Sequence, residues 1–312
     1  KKAMLAKSAA RRFSAQLTAG VELNYAASAQ GPRFVCNPFE GDGWSQNIGA
    51  GAIVSHVHGV ADLRGVSAES RDAQGLVRDR GFALVPHQSI VTDFTCDADV
   101  RHRYYPELVA LAKHVTGASR AAVASHALRR AGRVRTNAAE GAVRGGAFLV
   151  HNDFSDGLLD QFRQMHARGA PSILTQGLGL SVGDEDTGNI VILNVWRPLA
   201  TVERAPLAIC DPGSMASDDV LVYEHRPKEL PSVYLFPLPI LLTLPSSNPE
   251  HHWYYFSRMT PHECLVFKTF DSSGSVPHNG VGVHSAFDVP GTPSDAPTRE
   301  SIEARIVCFL EH

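Results

Sequence analysis

The sequence predicts a mainly β protein with flanking helices, and two observations carry that prediction. Helical periodicity is concentrated in the first half, over 97–118, whereas from residue 188 onward short apolar runs follow one another, separated by Pro, Ser, Asp and Gly. A helical first part followed by seven or more short strands implies one catalytic barrel with N-terminal support, and a jelly roll is one architecture that closes such strands.

Residues 1–50 mix Gly, Asn and Pro and predict loops with a short strand or two. VHGVADLRG (57–65) reads as a strand and turn, and GFALVPHQS (81–89) as a strand ended by proline. Within 97–118, Leu108, Leu111, Ala112 and Val115 recur at helical spacing, Gly117 offers a stop, and Tyr104 and Tyr105 anchor the helix. Residues 119–132 suit either a short strand or a second helix, and 133–146 read as a polar loop. Ser155 is a candidate N-cap for a helix carrying Leu158, Leu159, Phe162 and Met165, with Gly169 as its stop. GNIVILNVWRPL (188–199) is apolar and β-branched, as a buried central strand requires. LAICDP, DVLVYEH, SVYLFPLP, HHWYYFSRM, ECLVFKTFDSS and GVGVHSAFDVP predict further strands, and 300–312 a last one. The expected organisation is a single catalytic domain over 1–312, with a helical supporting region at 1–135 and a jelly-roll core at 136–312 carrying the site.

Composition narrows the function. Net charge is −3 and the arginines are scattered, so no basic stripe marks a nucleic-acid partner. No apolar run reaches roughly 18 residues, so no membrane span is expected. Five widely spaced cysteines without a CxxC argue against a zinc ribbon or thioredoxin-type site and suit a reducing, cytoplasmic compartment. The basic start, KKAMLAKSAARRF, lacks a signal peptide's apolar stretch, and the absence of GxSxG disfavours a nucleophilic hydrolase.

The chemistry gathers at His151-Asn152-Asp153. In an extended segment residues i and i+2 share one face, so His151 and Asp153 can grip one ion. With 15 His and 32 acidic residues a chance pair of this spacing is expected, so the motif alone is weak. A later histidine completes the two-His, one-carboxylate face of non-haem iron(II) oxygenases, which leaves three coordination positions for a keto-acid chelate and dioxygen. His284, at a strand end 131 residues beyond Asp153 (284 − 153), is the preferred third ligand over His126 and His278. Arg299 and Ser301 would share one face of the last strand and offer a guanidinium fork and a hydroxyl to a distal carboxylate. Asn194 could hydrogen-bond the keto acid or be a satisfied core amide. Trp253, Tyr254 and Tyr255 read as packing before pocket lining, Lys268 and Asp271 as a surface pair, and His56, His58, His251 and His252 as surface or structural.

GFALVPH, YYPE (104–107), NVWRPL (194–199), HHWYYFSRMTPHECLVFKTFDS (251–272) and HSAFDVP…RESIEARI (284–306) together resemble the CmcJ/AsaB-like family, which includes gibberellin desaturase-like and cephalosporin 7α-methoxylation-related proteins. The resemblance covers roughly 57–310. It implies a cupin-like double-stranded β-helix, dependence on Fe(II), 2-oxoglutarate and dioxygen, and hydroxylation, desaturation or oxidative cyclisation of a small metabolite in secondary metabolism. It also implies His151, Asp153 and His284 as ligands, with Arg299 and Ser301 on the co-substrate. The competing expectations are a metal-dependent barrel without 2-oxoglutarate, such as an isomerase or dioxygenase, and a metal-free small-molecule-binding barrel.

Overall fold

The structure, a computed structural model, describes residues 16–17, 20–26, 34–35, 53–65, 72–130, 148–170, 172–180, 188–225, 240–274 and 280–311. In chain order its elements are β1 (Gln16–Leu17), β2 (Val21–Ala26), β3 (Phe34–Val35), β4 (Ile53–His58), β5 (Val60–Asp62), α1 (Ala73–Arg80), β6 (Phe82–Pro86), α2 (Tyr105–Thr116), β7 (Arg120–Arg130), α3 (Leu158–Ala167), β8 (Gly188–Pro198), β9 (Leu207–Cys210), β10 (Val220–His225), β11 (Ile240–Pro245), β12 (Trp253–Tyr255), β13 (Glu263–Asp271), β14 (His284–Ala286) and β15 (Glu300–Glu311). Two five-stranded sheets form the jelly roll: a long one in the order β6-β13-β8-β15-β7 and a short one in the order β1-β5-β12-β9-β14.

Strand alternation decides what each face of the long sheet meets. Val191, Leu193 and Val195 of β8 and Ile302, Ala304 and Ile306 of β15 point to one side and bury against Val77 of α1 and Leu108, Leu111, Ala112 and Val115 of α2. The opposite face looks inward and has two apolar ends. At one end Ile190, Ile192, Val307 and Phe309 pack on Phe162 and Met165 of α3. At the other, Trp196, Leu265 and Phe267 meet Ala61, Leu207, Ile209 and Tyr254 of the short sheet. Between these ends the inward positions of β8 and β15 are Asn194, Glu303 and Arg305, a polar belt in an otherwise apolar wall. Beyond the short sheet, Val21, Leu23 and Tyr25 of β2 cover Val60, Trp253 and Tyr255.

One close contact fixes how the chain enters β14. Gly81 ends α1 in the left-handed region at φ 79°, and a Cβ there would lie 1.6 Å from the Gly280 carbonyl oxygen. Only glycine permits both features.

Several expectations need amendment. Of the segment 119–132, Arg120–Arg130 form the strand β7, antiparallel to β15. β5, β6 and β7, all within the expected supporting region at 1–135, are built into the two sheets. Ser155 does not cap α3: its carbonyl accepts from the Leu158 N–H at 3.2 Å, its Oγ is buried without a partner, and Gly157 holds the capping position. Gly169, at φ 65°, does follow the end of that helix. Lys268 and Asp271 are a buried pair at 3.1 Å, not a surface one. Of the two roles expected for them, surface or structural, His58 and His251 take the structural one, buried beside Tyr25 and Asp219. The loop at 133–146, the strand SVYLFPLP and His278 lie outside the described residues. Among the described residues no helix is long and apolar enough to cross a membrane.

Candidate metal centre

His151 is placed by the backbone of its neighbours. Its N–H donates to the His284 carbonyl at 3.1 Å, and the His284 N–H returns the bond at 2.9 Å, so one antiparallel bridge sets the two histidines side by side. Their rings stand 4.3 Å apart between centroids. The residue between His151 and Asp153 has a separate task. Asn152 is fully buried and donates through Nδ2 to the carbonyls of Phe154 (2.8 Å) and Thr269 (2.9 Å). Thr269 lies where the β13–β8 register shifts, between Lys268 and Phe270. That irregularity presents its carbonyl to the loop, and the anchored Asn152 leaves the His151 and Asp153 side chains to the other face.

One ligand atom from each of His151, Asp153 and His284 falls within 4.8 Å of the others, and all three residues are buried. Each is in the protonation state that metal ligation requires. Burial, and then the neighbouring His151, push the His284 imidazole down to about 3. Burial likewise lowers His151. Its Nδ1 lies 2.7 Å from the Leu149 carbonyl, which can only accept, so the proton sits on Nδ1 and Nε2 keeps its lone pair. Burial alone would raise Asp153, but the charge and hydrogen bonds of Arg305, with both histidines, hold it well below the usual carboxylate range.

Arg305 grips Asp153 with a fork: Nη2 to Oδ1 at 2.7 Å and Nε to Oδ2 at 3.1 Å. The same Nη2 lies 3.7 Å from Glu303 Oε1, and Glu303 in turn receives a fork from Arg129 at 2.7 and 2.6 Å. Burial opposes ionisation of Glu303, yet Arg129 and then Arg305 bring it down to about 2. Asn194 Nδ2 makes a long 3.5 Å contact to Asp153 Oδ2.

Arg299 is buried with its guanidinium 5.6 Å from the Trp196 ring centre and one bond to the Ala205 carbonyl. Burial, followed by repulsion from Arg129, lowers it to about 10. Among the described residues, buried polar atoms around the belt without a protein partner include His284 Nδ1, Asn194 Oδ1, Arg299 Nε and Ser301 Oγ. A buried polar atom left unpaired costs about 1–3 kcal/mol. A set of this kind, two imidazoles, a carboxylate, a guanidinium and a hydroxyl, suits a borderline transition-metal dication together with a carboxylate-bearing small molecule. The residues present therefore fit iron(II) and a keto acid.

Every residue assigned to the site from the sequence lies in or beside this belt. His126, an alternative third ligand, instead meets Tyr105 Oη at 2.9 Å and Asp97. Sequence reasoning missed Arg305, Glu303 and Arg129. A signal for two of them was present: Ser301, Glu303 and Arg305 fall at i, i+2 and i+4, and so share one face of a strand whose other face is apolar.

A jelly roll with two imidazoles and a carboxylate converging on its inner wall defines a metal-dependent enzyme of the non-haem oxygenase class. The family profile described as the oxidoreductase/YMDC permease-like domain matches residues 23–309. The chain is 28% identical over 253 residues to the alpha-ketoglutarate-dependent dioxygenase phiK of Fungal sp., covering 78% of this chain and 83% of that protein. It is 30% identical over 263 residues to the hydroxylase/desaturase efuI of Hormonema carpetanum, covering 78% and 81%. The solved iron and alpha-ketoglutarate-dependent endoperoxidase NvfI superposes with a TM-score of 0.71 at 23% identity, over 95% of this chain and 99% of that one, and shares the fold. The chain belongs to this family of Fe(II)/2-oxoglutarate-dependent oxygenases, whose cofactor set is Fe(II), 2-oxoglutarate and dioxygen.

Proposed function

We propose that His151, Asp153 and His284 hold the iron(II), that Arg299 and Ser301 receive the distal carboxylate of 2-oxoglutarate with Asn194 at its keto-acid end, and that the enzyme hydroxylates, desaturates or oxidatively cyclises a small metabolite of secondary metabolism. The observation that carries this reading is the convergence of three buried ligand atoms within 4.8 Å on the inner wall. The unpartnered Arg299 Nε and Ser301 Oγ support the co-substrate assignment, and the names of the hydroxylase/desaturase and dioxygenase relatives support the reaction class. The buried free thiols of Cys210, Cys264 and Cys308 support a reducing, cytoplasmic setting.

The bound metal and co-substrate supply the oxidising power for attack on an unactivated C–H bond. The protein's own residues position and protect. Asn152 holds the loop that presents His151 and Asp153. The Leu149 carbonyl sets the His151 tautomer. Trp196, Phe267 and Tyr254 line the apolar end of the inner wall and keep water from the reacting centre.

Anaerobic addition of Fe(II) and 2-oxoglutarate tests the assignment. A weak visible charge-transfer band is expected from the intact protein and none from Asp153→Ala. Arg299→Gln should weaken 2-oxoglutarate binding on the order of tenfold to a hundredfold, the loss of one charged hydrogen-bonding partner. Normal succinate production by Asp153→Ala would remove that residue from the ligand set.

A further inference from the structure

The fork between Arg305 and Asp153 has a consequence for how the ligands assemble, and it rests on the reading of Asp153 as a metal ligand. Arg305 addresses both carboxylate oxygens, at 2.7 and 3.1 Å. A carboxylate has further lone pairs, so the fork does not forbid a metal, but it places a cation against the ligand that must receive a dication. Among the described residues, Arg129, Arg299 and Arg305 all lie on the inner wall beside Asp153 and Glu303, buried or nearly so. A dianionic keto acid entering that wall offers these guanidinium groups further acceptors. The geometry also gives Arg305 a second place to go, since its Nη2 is already 3.7 Å from Glu303 Oε1. A bulge helps aim the side chain: the β7–β15 register shifts between Arg305 and Ile306.

We infer that Arg305 is a positioning residue that competes with the metal for Asp153, and that arrival of the keto acid, with Glu303 as the alternative acceptor, draws Arg305 off the carboxylate and so couples co-substrate binding to metal binding. Competition and simple bracing predict opposite signs. A residue that only braces a ligand weakens metal affinity about 10–100-fold when it is removed. A competitor strengthens it.

The experiment is calorimetric titration of Mn(II), as an oxygen-stable probe, with and without 2-oxoglutarate, on the wild type and on Arg305→Gln, Arg305→Lys, Glu303→Gln and His284→Ala. Arg305→Gln is expected to bind Mn(II) alone about fivefold or more tightly than wild type, within the usual range of coupling factors. The enhancement of Mn(II) affinity by 2-oxoglutarate should shrink in the same variant. Arg305→Lys keeps the charge without the fork and should fall between the two. Glu303→Gln removes the alternative acceptor and should weaken Mn(II) binding. Circular dichroism confirms folding of each variant, and where Arg305→Gln does not fold, Arg305→Lys decides the sign. Weaker or unchanged Mn(II) affinity in the Arg305 variants overturns the inference. Wild-type affinity in His284→Ala overturns the ligand assignment itself, which is a separate failure.

Discussion

Single residues divide into those whose role local spacing encodes and those that depend on distant partners. His151 and Asp153 were readable as an i, i+2 pair because an extended backbone puts them on one face. Asn152 was not, because its acceptors are the carbonyls of Phe154 and of Thr269, and the latter is 117 residues away. Asn152→Ala should leave those carbonyls unsatisfied, cost about 1–3 kcal/mol in stability, and loosen the metal ligands. Urea unfolding and Mn(II) titration together check both effects. The buried histidines make a pH prediction. Burial first, then His251 and His56, bring His58 from 6.5 down to about 4, and its Nε2 lies 3.1 Å from Tyr25 Oη and from Ser247 Oγ. Between these two values the unfolded chain binds a proton that the folded chain refuses. This contribution is therefore intact above pH 6.5, declines as pH falls through the window, and is lost below about 4. After a discount for solvent screening it amounts to about 1–2 kcal/mol. Melting curves at pH 7.5 and pH 4.5 should show His58→Gln losing less stability on acidification than the wild type, and equal losses would contradict the assignment.

At the scale of elements, periodicity foretold most of the architecture and failed where tertiary contacts set a boundary. The helix over 97–118 was legible because Leu108, Leu111, Ala112 and Val115 recur on the buried face of α2. The start of α3 was misread. Ser155 has the right chemistry for a cap, but the chain there is fixed by Asn152, and the helix begins only after Gly157. The polar positions of β15 were underread for a different reason. Alternation alone does not reveal that Glu303 finds Arg129 on β7, 174 residues earlier in the chain. Leu108→Ala should cost about 2–5 kcal/mol by leaving a cavity under the long sheet. Because Leu108 packs on the face of that sheet remote from the belt, Mn(II) affinity at constant folded fraction should be unchanged. Gly81→Ala should be similarly damaging to stability, since its Cβ would collide with backbone rather than with a side chain that can move.

Across the whole molecule the candidate centre joins parts that the sheets alone leave separate. His284 belongs to the short sheet through β9 and β14, and His151 is bridged to it. Asp153 is tied to the long sheet through its neighbour Asn152, whose amide donates to the Thr269 carbonyl at 2.9 Å. An ion held by all three therefore cross-links the two walls of the barrel. Binding to the folded state stabilises it by about 2.7 kcal/mol at a hundredfold excess over Kd. A chain of 312 residues gains roughly 1.5 °C in Tm per kcal/mol, so saturating Mn(II) with 2-oxoglutarate should raise Tm by a few degrees, and a chelator should reverse the gain. The cross-link also predicts where the gain is spent. Amide exchange should slow most at 149–154 and 284–286, where the two walls meet at the ion, and least in α2, which packs on the far face of the long sheet. Uniform slowing along the chain would mean that the ion stabilises the fold globally without bridging the sheets, and slowing confined to α2 would place the binding site elsewhere.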